Sequence, residues 1–411
     1  MLYLFLFLFA VALDMLLGLG GWSQALAGHL AGPASAWRLL RLDYGVHVGH
    51  LVLVVPGQQD LAGSMLGWSR LLDMLLWLLA APFALFIGWH KALLIAAVVL
   101  GPLGCGALAV AAAWAVEPWA LRRALWLVPL LSVLGLGVTG QLTPARVDNT
   151  LPLLALLALM GGCVLRAVRE SLGFGFCAGL AGGFAIWLTV QAVPFVGLAY
   201  GALVVRWFYA RNATILLAMA AGVFDVLCVG LFVDPPLAGY GTPDPARLSY
   251  IYLILGLAMM ASAACLPRLQ HVVKTGRAPL GAVVVVLPLM VWAAVFHITA
   301  PVMIGMSAQS SPLFLVCGAL ATLYAIFSLW WAARTRRFVS PLPVFLGHTR
   351  HGPIAWAYIG FCVALMTLVG TRAPLFAEMA LVLAACLLAV GSSLIASTGL
   401  RRLRAGGGGE G

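Results

Sequence analysis

The 411-residue chain is 64% hydrophobic and only 9% charged, and its formal net charge is +11. Charged residues make up roughly a quarter of soluble globular proteins, so this composition excludes that class and indicates a polytopic membrane protein. The basic residues stand in short clusters between apolar runs, a pattern that sets membrane orientation and does not predict nucleic-acid binding. The eight cysteines are scattered without a CxxC pair, which argues against a disulfide framework or a thiolate metal site.

Apolar runs long enough to cross a membrane recur along the whole chain. A helix needs about 17 to 25 such residues to cross roughly 30 Å of hydrocarbon, and we take the apolar N-terminus as the first span rather than as a signal peptide. Twelve spans are predicted, at about 1–20, 92–116, 124–140, 150–168, 173–190, 192–208, 213–232, 249–266, 279–298, 312–332, 354–370 and 375–397. The predicted fold class is therefore all-α, with one transmembrane domain over 1–404 and a flexible glycine-rich tail over 405–411.

The basic clusters predict the orientation of these spans. With residue 1 in the cytoplasm, 16 of the 23 Lys and Arg residues fall on the cytoplasmic side, as the positive-inside rule requires. Both termini are then cytoplasmic. We expect a multi-pass membrane protein whose polar external loops form the working face.

This orientation requires that the apolar stretch over 71–89 does not cross the membrane. The stretch begins within GWSRLLDMLLW, where an apolar stripe recurs at helical spacing while Arg70 and Asp73 lie off the stripe. Such an arrangement is typical of a helix lying in the membrane interface. The first external loop would then be long, about 21–91, and would contain in-plane helices.

Two aspartates on the external side are the candidate catalytic residues. Asp43 lies in the first external loop among many polar neighbours, where a carboxylate can act as a general base or help to bind a divalent metal ion. The alternative is a solvated loop aspartate paired with Arg41. Asp148 precedes an apolar run, so it is either a second acidic group facing the same cavity or a helix N-cap, and both roles are compatible.

Several arginines lie on the external side, where the positive-inside rule disfavours them. A phosphate or pyrophosphate at the membrane surface would explain their presence, since guanidinium binds phosphate in a bidentate manner and stays charged. The alternative is contact with lipid headgroups. The set comprises Arg38, Arg41, Arg70, Arg146, Arg247 and Arg372.

Secondary site candidates are polar residues inside or beside the predicted spans. Asp14 lies within the first span, where a carboxylate is costly and marks a site by default, and it is a rival to Asp43. The pair His47 and His50 could share a helix face, but two histidines without a third ligand are a weak metal signal. The remaining secondary candidates are Asp73, Arg247 and His297.

With these residues in view, the chain resembles a divergent member of the GT-C class of integral-membrane glycosyltransferases. The nearest group is bacterial, and its first external loop carries an acidic pair followed by a tryptophan-serine-arginine-leucine segment. The matching stretches are GWSRLLD (67–73) and PARVDN (144–149), with weaker similarity in RLSYIYL (247–253) and TRAPLFAEM (371–379). The chain departs from that group in having Leu42 before Asp43 instead of an acidic pair, and no histidine pair after Asp148.

The resemblance implies a protein of the bacterial inner membrane, a polyprenyl-phosphate sugar donor, an external active site, and inversion at the anomeric carbon. Asp43 would deprotonate the acceptor hydroxyl and Asp148 would position the acceptor or a metal ion. The phosphate would be held by Arg41, Arg70, Arg146 and Arg372. The acidic residues could bind a magnesium or manganese ion as cofactor. The expected partners are the bilayer, the lipid-linked sugar and a lipid or glycan acceptor.

Two other functions stay open at this point. A transporter or flippase for a lipid-linked or small substrate would place charged residues within the spans, and Asp14 is such a residue. A catalytically inactive homologue that serves as a membrane partner would fit the reduced acidic set. The glycine-rich stretch over 173–183 lies within a predicted span, where close helix packing explains it better than a phosphate-binding loop.

Overall fold

A computed structural model describes most of the first two thirds of the chain. The described residues are 1–18, 70–118, 120–138, 144–167, 171–210, 213–236 and 247–274, with isolated positions within 35–43, at 142, and within 239–244 and 379–386. All regular secondary structure in these ranges is helical. The all-α fold class predicted from composition is therefore confirmed.

Nine α-helices make up the described part of the chain. They are α1 (Leu2–Leu17), α2 (Arg70–Ile87), α3 (Trp89–Val116), α4 (Leu127–Val138), α5 (Thr150–Ala167), α6 (Leu172–Leu188), α7 (Val193–Ala210), α8 (Thr214–Val233) and α9 (Tyr250–Lys274). Short 3-10 turns at Ala124–Trp126 and Val190–Ala192 lead into α4 and α7. The boundaries of the α-helices follow the ends of the apolar runs, because an apolar segment in a membrane satisfies its backbone polar groups within itself only as a helix.

Eight of these helices coincide with the first eight predicted spans to within a few residues, apart from α9, which continues beyond the predicted end at 266 to Lys274. The predicted spans at 279–298, 312–332 and 354–370 lie outside the described residues. Within the predicted span at 375–397, the described positions Met379, Val382, Ala385 and Cys386 are helical and buried.

The remaining helix, α2, coincides with the stretch expected to lie in the membrane plane. Five of the described helices are long and apolar enough to cross a membrane, and α2 is among them, together with α3, α5, α8 and the 250–267 part of α9. The in-plane placement of α2 thus stays a prediction, because its length and composition also fit a span.

The described residues divide into two compact units. The first contains residues 1–14 and 105–138, and in it Phe9 meets Trp126 edge to face with ring centroids 5.5 Å apart. The second contains the described residues from 15 to 104 and from 142 to 274. The single domain expected over 1–404 stays a prediction.

The second unit is built on tightly packed helices. Helix α6 packs against both α5 and α8, and α8 packs against α9. At the α6–α8 contact the backbones nearly touch, since a Cβ added at Gly222 would lie 2.5 Å from the carbonyl oxygen of Phe176. A Cβ at Gly183 would lie 3.1 Å from the carbonyl oxygen of Val223. The glycine-rich stretch over 173–183 therefore serves close helix packing, as its sequence predicted.

Candidate functional site

The second unit brings together most of the predicted site residues. It contains both candidate catalytic aspartates, Asp43 and Asp148, and the arginines Arg70, Arg146 and Arg247. They lie at the described helical positions within 35–43, at the start of α2, in the segment before α5, and in the segment after α8. Arg41, His47, His297 and Arg372 lie outside the described residues.

Arg38 is the central residue of the first polar cluster, and its side chain is only 1% exposed. Its Nε lies 3.3 Å from Oδ1 of Asp73, which is also buried. Its Nη1 donates a hydrogen bond of 3.2 Å to Oδ1 of Asn149. We call Arg38, Asp73 and Asn149 the Arg38 cluster. It joins the 35–43 stretch to the first turn of α2 and to the segment that begins α5.

Further hydrogen bonds fix the same segments. The backbone N–H of Val147 donates to Oγ of Ser35 over 2.9 Å, within the buried interior. The side-chain amide of Asn149 donates to the carbonyl oxygen of Leu188 at the end of α6 over 3.2 Å. Ala145 has a φ of 58°, a left-handed conformation that costs a non-glycine residue about 1 kcal/mol. The segment before α5 is thus held in a conformation that it would not adopt alone.

Burial and a nearby negative charge shift the pKa of Arg38 in opposite directions. Burial lowers the pKa of the Arg38 guanidinium to about 10, and the negative charge of Asp148 opposes that shift. The guanidinium therefore stays protonated at neutral pH. A buried charge of this kind persists only when it is paired and hydrogen-bonded, and the Arg38 cluster supplies both conditions.

Asp148 caps α5 and pairs with a neighbouring arginine. Its Oδ1 accepts a hydrogen bond of 3.1 Å from the backbone N–H of Thr150, the first residue of α5. Its Oδ2 lies 2.5 Å from Nε of Arg146. The capping role that the sequence suggested is present, and because the side chain is 31% exposed, the carboxylate also remains accessible.

Asp43 lies beside a histidine that the sequence interpretation did not select. Oδ2 of Asp43 is 3.1 Å from Nδ1 of His90, near the start of α3. The Asp43 side chain is about one-quarter exposed, whereas His90 is 72% exposed. This carboxylate can therefore be reached by a substrate, and one of its oxygens already has an imidazole partner.

A second polar cluster surrounds Asp234, the residue at the C-terminal end of α8. Oδ1 of Asp234 accepts a 2.8 Å hydrogen bond from Nη2 of Arg247 and lies 3.5 Å from Nε of Arg70. Oδ2 accepts from the backbone N–H of Arg70 over 2.9 Å and from the indole N–H of Trp187 over 3.4 Å. We call Asp234, Arg70, Arg247 and Trp187 the Asp234 cluster. Since Arg70 is the first residue of α2, Asp234 also caps that helix from a distant part of the chain.

The Asp234 cluster carries more positive than negative charge. Two guanidinium groups share one buried carboxylate among the described residues. Nη1 of Arg247 is buried and has no hydrogen-bond acceptor in the described part of the chain. Arg70 is 19% exposed, so its guanidinium can reach a ligand while its backbone remains fixed. This arrangement favours a negatively charged group near Arg70.

Sequence reasoning missed Asp234, Asn149, Ser35, Trp187 and His90. For Asp234 a signal exists, because the residue directly follows an apolar run and falls on the same predicted side as Arg70 and Arg247. The other four carry no local signal, since their partners are far away in sequence. Arg38 and Asn149, for instance, are 111 residues apart.

The described residues do not assemble a metal site. Over the described ranges, no three His, Cys, Asp or Glu side chains are grouped closely enough to hold a metal ion. Asp43 and His90 provide two donors side by side, while Asp148 is engaged by Arg146 and the start of α5. The described residues alone therefore do not complete a metal-binding set.

Asp14, the rival to Asp43, belongs to the first unit. It is buried within α1 and its side chain hydrogen-bonds with Cys105 of α3. The Asp14–Cys105 contact explains how a carboxylate is accommodated within an apolar helix.

Comparison with solved structures identifies the fold. An archaeal oligosaccharyltransferase, AglB from Archaeoglobus fulgidus in complex with an inhibitory peptide and a dolichol-phosphate, matches with a TM-score of 0.69 and 12% identity over 100% of this chain and 52% of that chain. The apo oligosaccharyltransferase of that organism matches with a TM-score of 0.66 and 13% identity over 94% of this chain and 50% of that one.

The chain has a GT-C fold. A third structure, the Archaeoglobus fulgidus oligosaccharyltransferase in complex with Zn and sulfate, agrees with a TM-score of 0.66 and 14% identity, over 96% of this chain and 49% of that chain. The chain thus spans about half the length of the structures it matches. No family model matches the chain, and no curated protein sequence matches it either. At these identities the likeness establishes the GT-C architecture and leaves the chemistry to be argued from the site.

Proposed function

We propose that the protein is a membrane glycosyltransferase that moves a sugar from a polyprenyl-phosphate carrier to a lipid or glycan acceptor at the external face of the membrane. The observation that carries this proposal is the Arg38 cluster. It ties the stretch that bears Asp43 and the segment that bears Asp148 to one buried guanidinium. Two accessible carboxylates held on a common support, within a GT-C fold, suit acid-base chemistry at a sugar.

In the proposed reaction Asp43 acts as the general base. Its carboxylate accepts the proton of the acceptor hydroxyl as the hydroxyl oxygen attacks the anomeric carbon. The bond from that carbon to the carrier phosphate oxygen breaks, and the electron pair leaves with polyprenyl phosphate. Attack opposite to the leaving group inverts the anomeric centre. Asp148 positions the acceptor from the start of α5.

The leaving phosphate is assigned to the accessible arginines. Arg146, at 33% exposure, and Arg70 are partly open to solvent, so their guanidinium groups can bind phosphate oxygens in a bidentate manner. Arg41 and Arg372 complete the proposed set from outside the described residues. The lipid-phosphate carrier is supported by the dolichol-phosphate in the AglB complex, which contains a phosphate on a polyprenyl-type chain.

The proposal is tested by sugar transfer with the purified protein. A panel of polyprenyl-phosphate sugars is offered to the parent chain, to Asp43→Asn and to Asp148→Asn, with Asp244→Asn as a carboxylate control in a loop of the same unit. We expect transfer by the parent and the control, loss of transfer by Asp43→Asn, and a reduced rate for Asp148→Asn.

Three results would count against the proposed mechanism or the proposed function. Transfer that persists in Asp43→Asn would remove its role as the base. Movement of the lipid-linked sugar across the membrane of proteoliposomes, without any sugar transfer, would show that the protein is a transporter instead. Absence of both activities, with a folded protein, would favour an inactive membrane partner.

A further inference from the structure

The external arginines do not form one functional set. Arg38 is only 1% exposed, whereas Arg146 is 33% exposed. A substrate phosphate cannot reach the Arg38 guanidinium without first displacing Asp73, whose buried carboxylate would then lose its counter-charge. Arg38 is therefore unsuited to bind a ligand, although the sequence groups it with the others.

We propose that Arg38 is a positioning residue that sets the geometry of Asp148 relative to Asp43. Its guanidinium offers several N–H donors in a fixed plane, and these face Asp73 on one side and Asn149 on the other. Asn149 directly follows Asp148. Arg38 itself lies five residues before Asp43, within the same stretch.

Charge adds to this arrangement. The negative charge of Asp148 acts on Arg38 strongly enough to oppose the effect of burial on its pKa. The two opposite charges attract each other, which favours the arrangement that holds Asp148 close to Arg38. The Ser35–Val147 hydrogen bond joins the same two segments, but it is a contact between neutral groups and adds no such attraction.

The consequence for catalysis rests on the proposed function. If Arg38 orients Asp148, its loss lowers the turnover of bound substrate and leaves the affinity for the polyprenyl-phosphate sugar unchanged. If Arg38 bound the carrier phosphate, its loss would weaken affinity instead. The ratio of the changes in kcat and KM therefore separates positioning from binding.

The first experiment measures backbone flexibility and needs no activity. Hydrogen exchange is followed by mass spectrometry on peptides covering 144–149 in the parent, Arg38→Gln and Arg38→Lys, with Arg123→Gln as an exposed arginine control. We expect about tenfold faster exchange in Arg38→Gln, since a partly buried, charge-assisted hydrogen bond to Asn149 is lost. Arg38→Lys should give an intermediate rate, and Arg123→Gln should match the parent. Unchanged exchange in Arg38→Gln would overturn the proposal.

The second experiment measures kcat and KM for sugar transfer in the same variants. We expect kcat to fall by about tenfold to a hundredfold in Arg38→Gln. The KM for the polyprenyl-phosphate sugar should stay within about twofold of the parent value, and Arg38→Lys should recover part of the lost kcat. A rise in KM with an unchanged kcat would overturn the proposal. Faster exchange at 144–149 in a chain whose parent transfers no sugar would support the positioning role and count against the proposed function.

Asn149→Leu provides a second route if Arg38→Gln does not fold. This change removes the acceptor for Arg38 on the α5 side, together with the hydrogen bond from Asn149 to the Leu188 carbonyl, and leaves the Arg38–Asp73 pair in place. We expect the same fall in kcat and the same faster exchange over 144–149. A normal kcat in a folded Asn149→Leu protein would contradict the proposal.

Discussion

The Arg38 cluster and the Asp234 cluster both involve the first turn of α2, through Asp73 and Arg70 respectively, yet they balance charge differently. In the Arg38 cluster one arginine faces one buried aspartate and a neutral amide. In the Asp234 cluster two arginines share one carboxylate. The first is neutral and closed, which suits a fixed support, whereas the second keeps a positive charge and a partly exposed arginine, which suits an anion.

This difference predicts how strongly each carboxylate contributes to stability. The largest loss is expected for Asp234→Asn, because the buried guanidinium of Arg247 and the partly exposed one of Arg70 would lose their shared counter-charge. The new amide N–H₂ would also face N–H donors that now point at Oδ1 or Oδ2. We expect a loss of about 3 to 5 kcal/mol, measured as a fall in the thermal unfolding temperature of the protein in detergent.

The control for this change is Asp244→Asn, which removes a carboxylate from the loop that follows α8. It should leave the unfolding temperature close to that of the parent. An unfolding temperature for Asp234→Asn equal to that of the control would show that another group balances the two arginines, and the contrast between the clusters would fail.

A smaller loss is expected for Asp73→Asn. Arg38 would keep its hydrogen bond to Asn149 and the nearby charge of Asp148, so the guanidinium would not be left isolated. We expect a loss of about 2 kcal/mol in the same unfolding measurement. If Asp73→Asn destabilised the protein more than Asp234→Asn, the charge balance proposed for the two clusters would have to be reversed.

The sequence predicted the helices much better than these clusters. The apolar runs that became α3 to α9 could be located because a span is defined by local composition and length. The charge bias predicts that Asp43 and Asp148 lie on the external side, and this stays a prediction; the structure shows only that both aspartates belong to one compact unit. That they share a unit follows from helix packing rather than from any local pattern.

The pairing of polar residues could not be read from the chain. Asp234 and Arg70 are 164 residues apart, and their contact depends on how α6 and α8 pack beside the start of α2. The sequence also could not decide whether α2 crosses the membrane or lies in its plane, because an interfacial helix and a span of 18 residues can have the same composition. Hydropathy fixes where helices occur and leaves open which of their ends meet.

The smallest effect is expected at the exposed pair of Asp43 and His90. His90 is 72% exposed, and an ion pair or hydrogen bond at such a site contributes between about 0 and 1 kcal/mol. His90→Gln should therefore leave the unfolding temperature unchanged and alter sugar transfer by less than about tenfold, whereas Asp43→Asn should abolish transfer.

The His90→Gln variant also tests whether an exposed pair contributes to the reaction itself. The Arg38 cluster is buried and is expected to act through geometry, while the Asp43–His90 pair is open to solvent and leaves the carboxylate accessible to an acceptor hydroxyl. If His90→Gln abolished transfer at an unchanged unfolding temperature, the imidazole would be part of the reacting unit. The base would then be an aspartate–histidine pair, rather than Asp43 alone on the support that Arg38 provides.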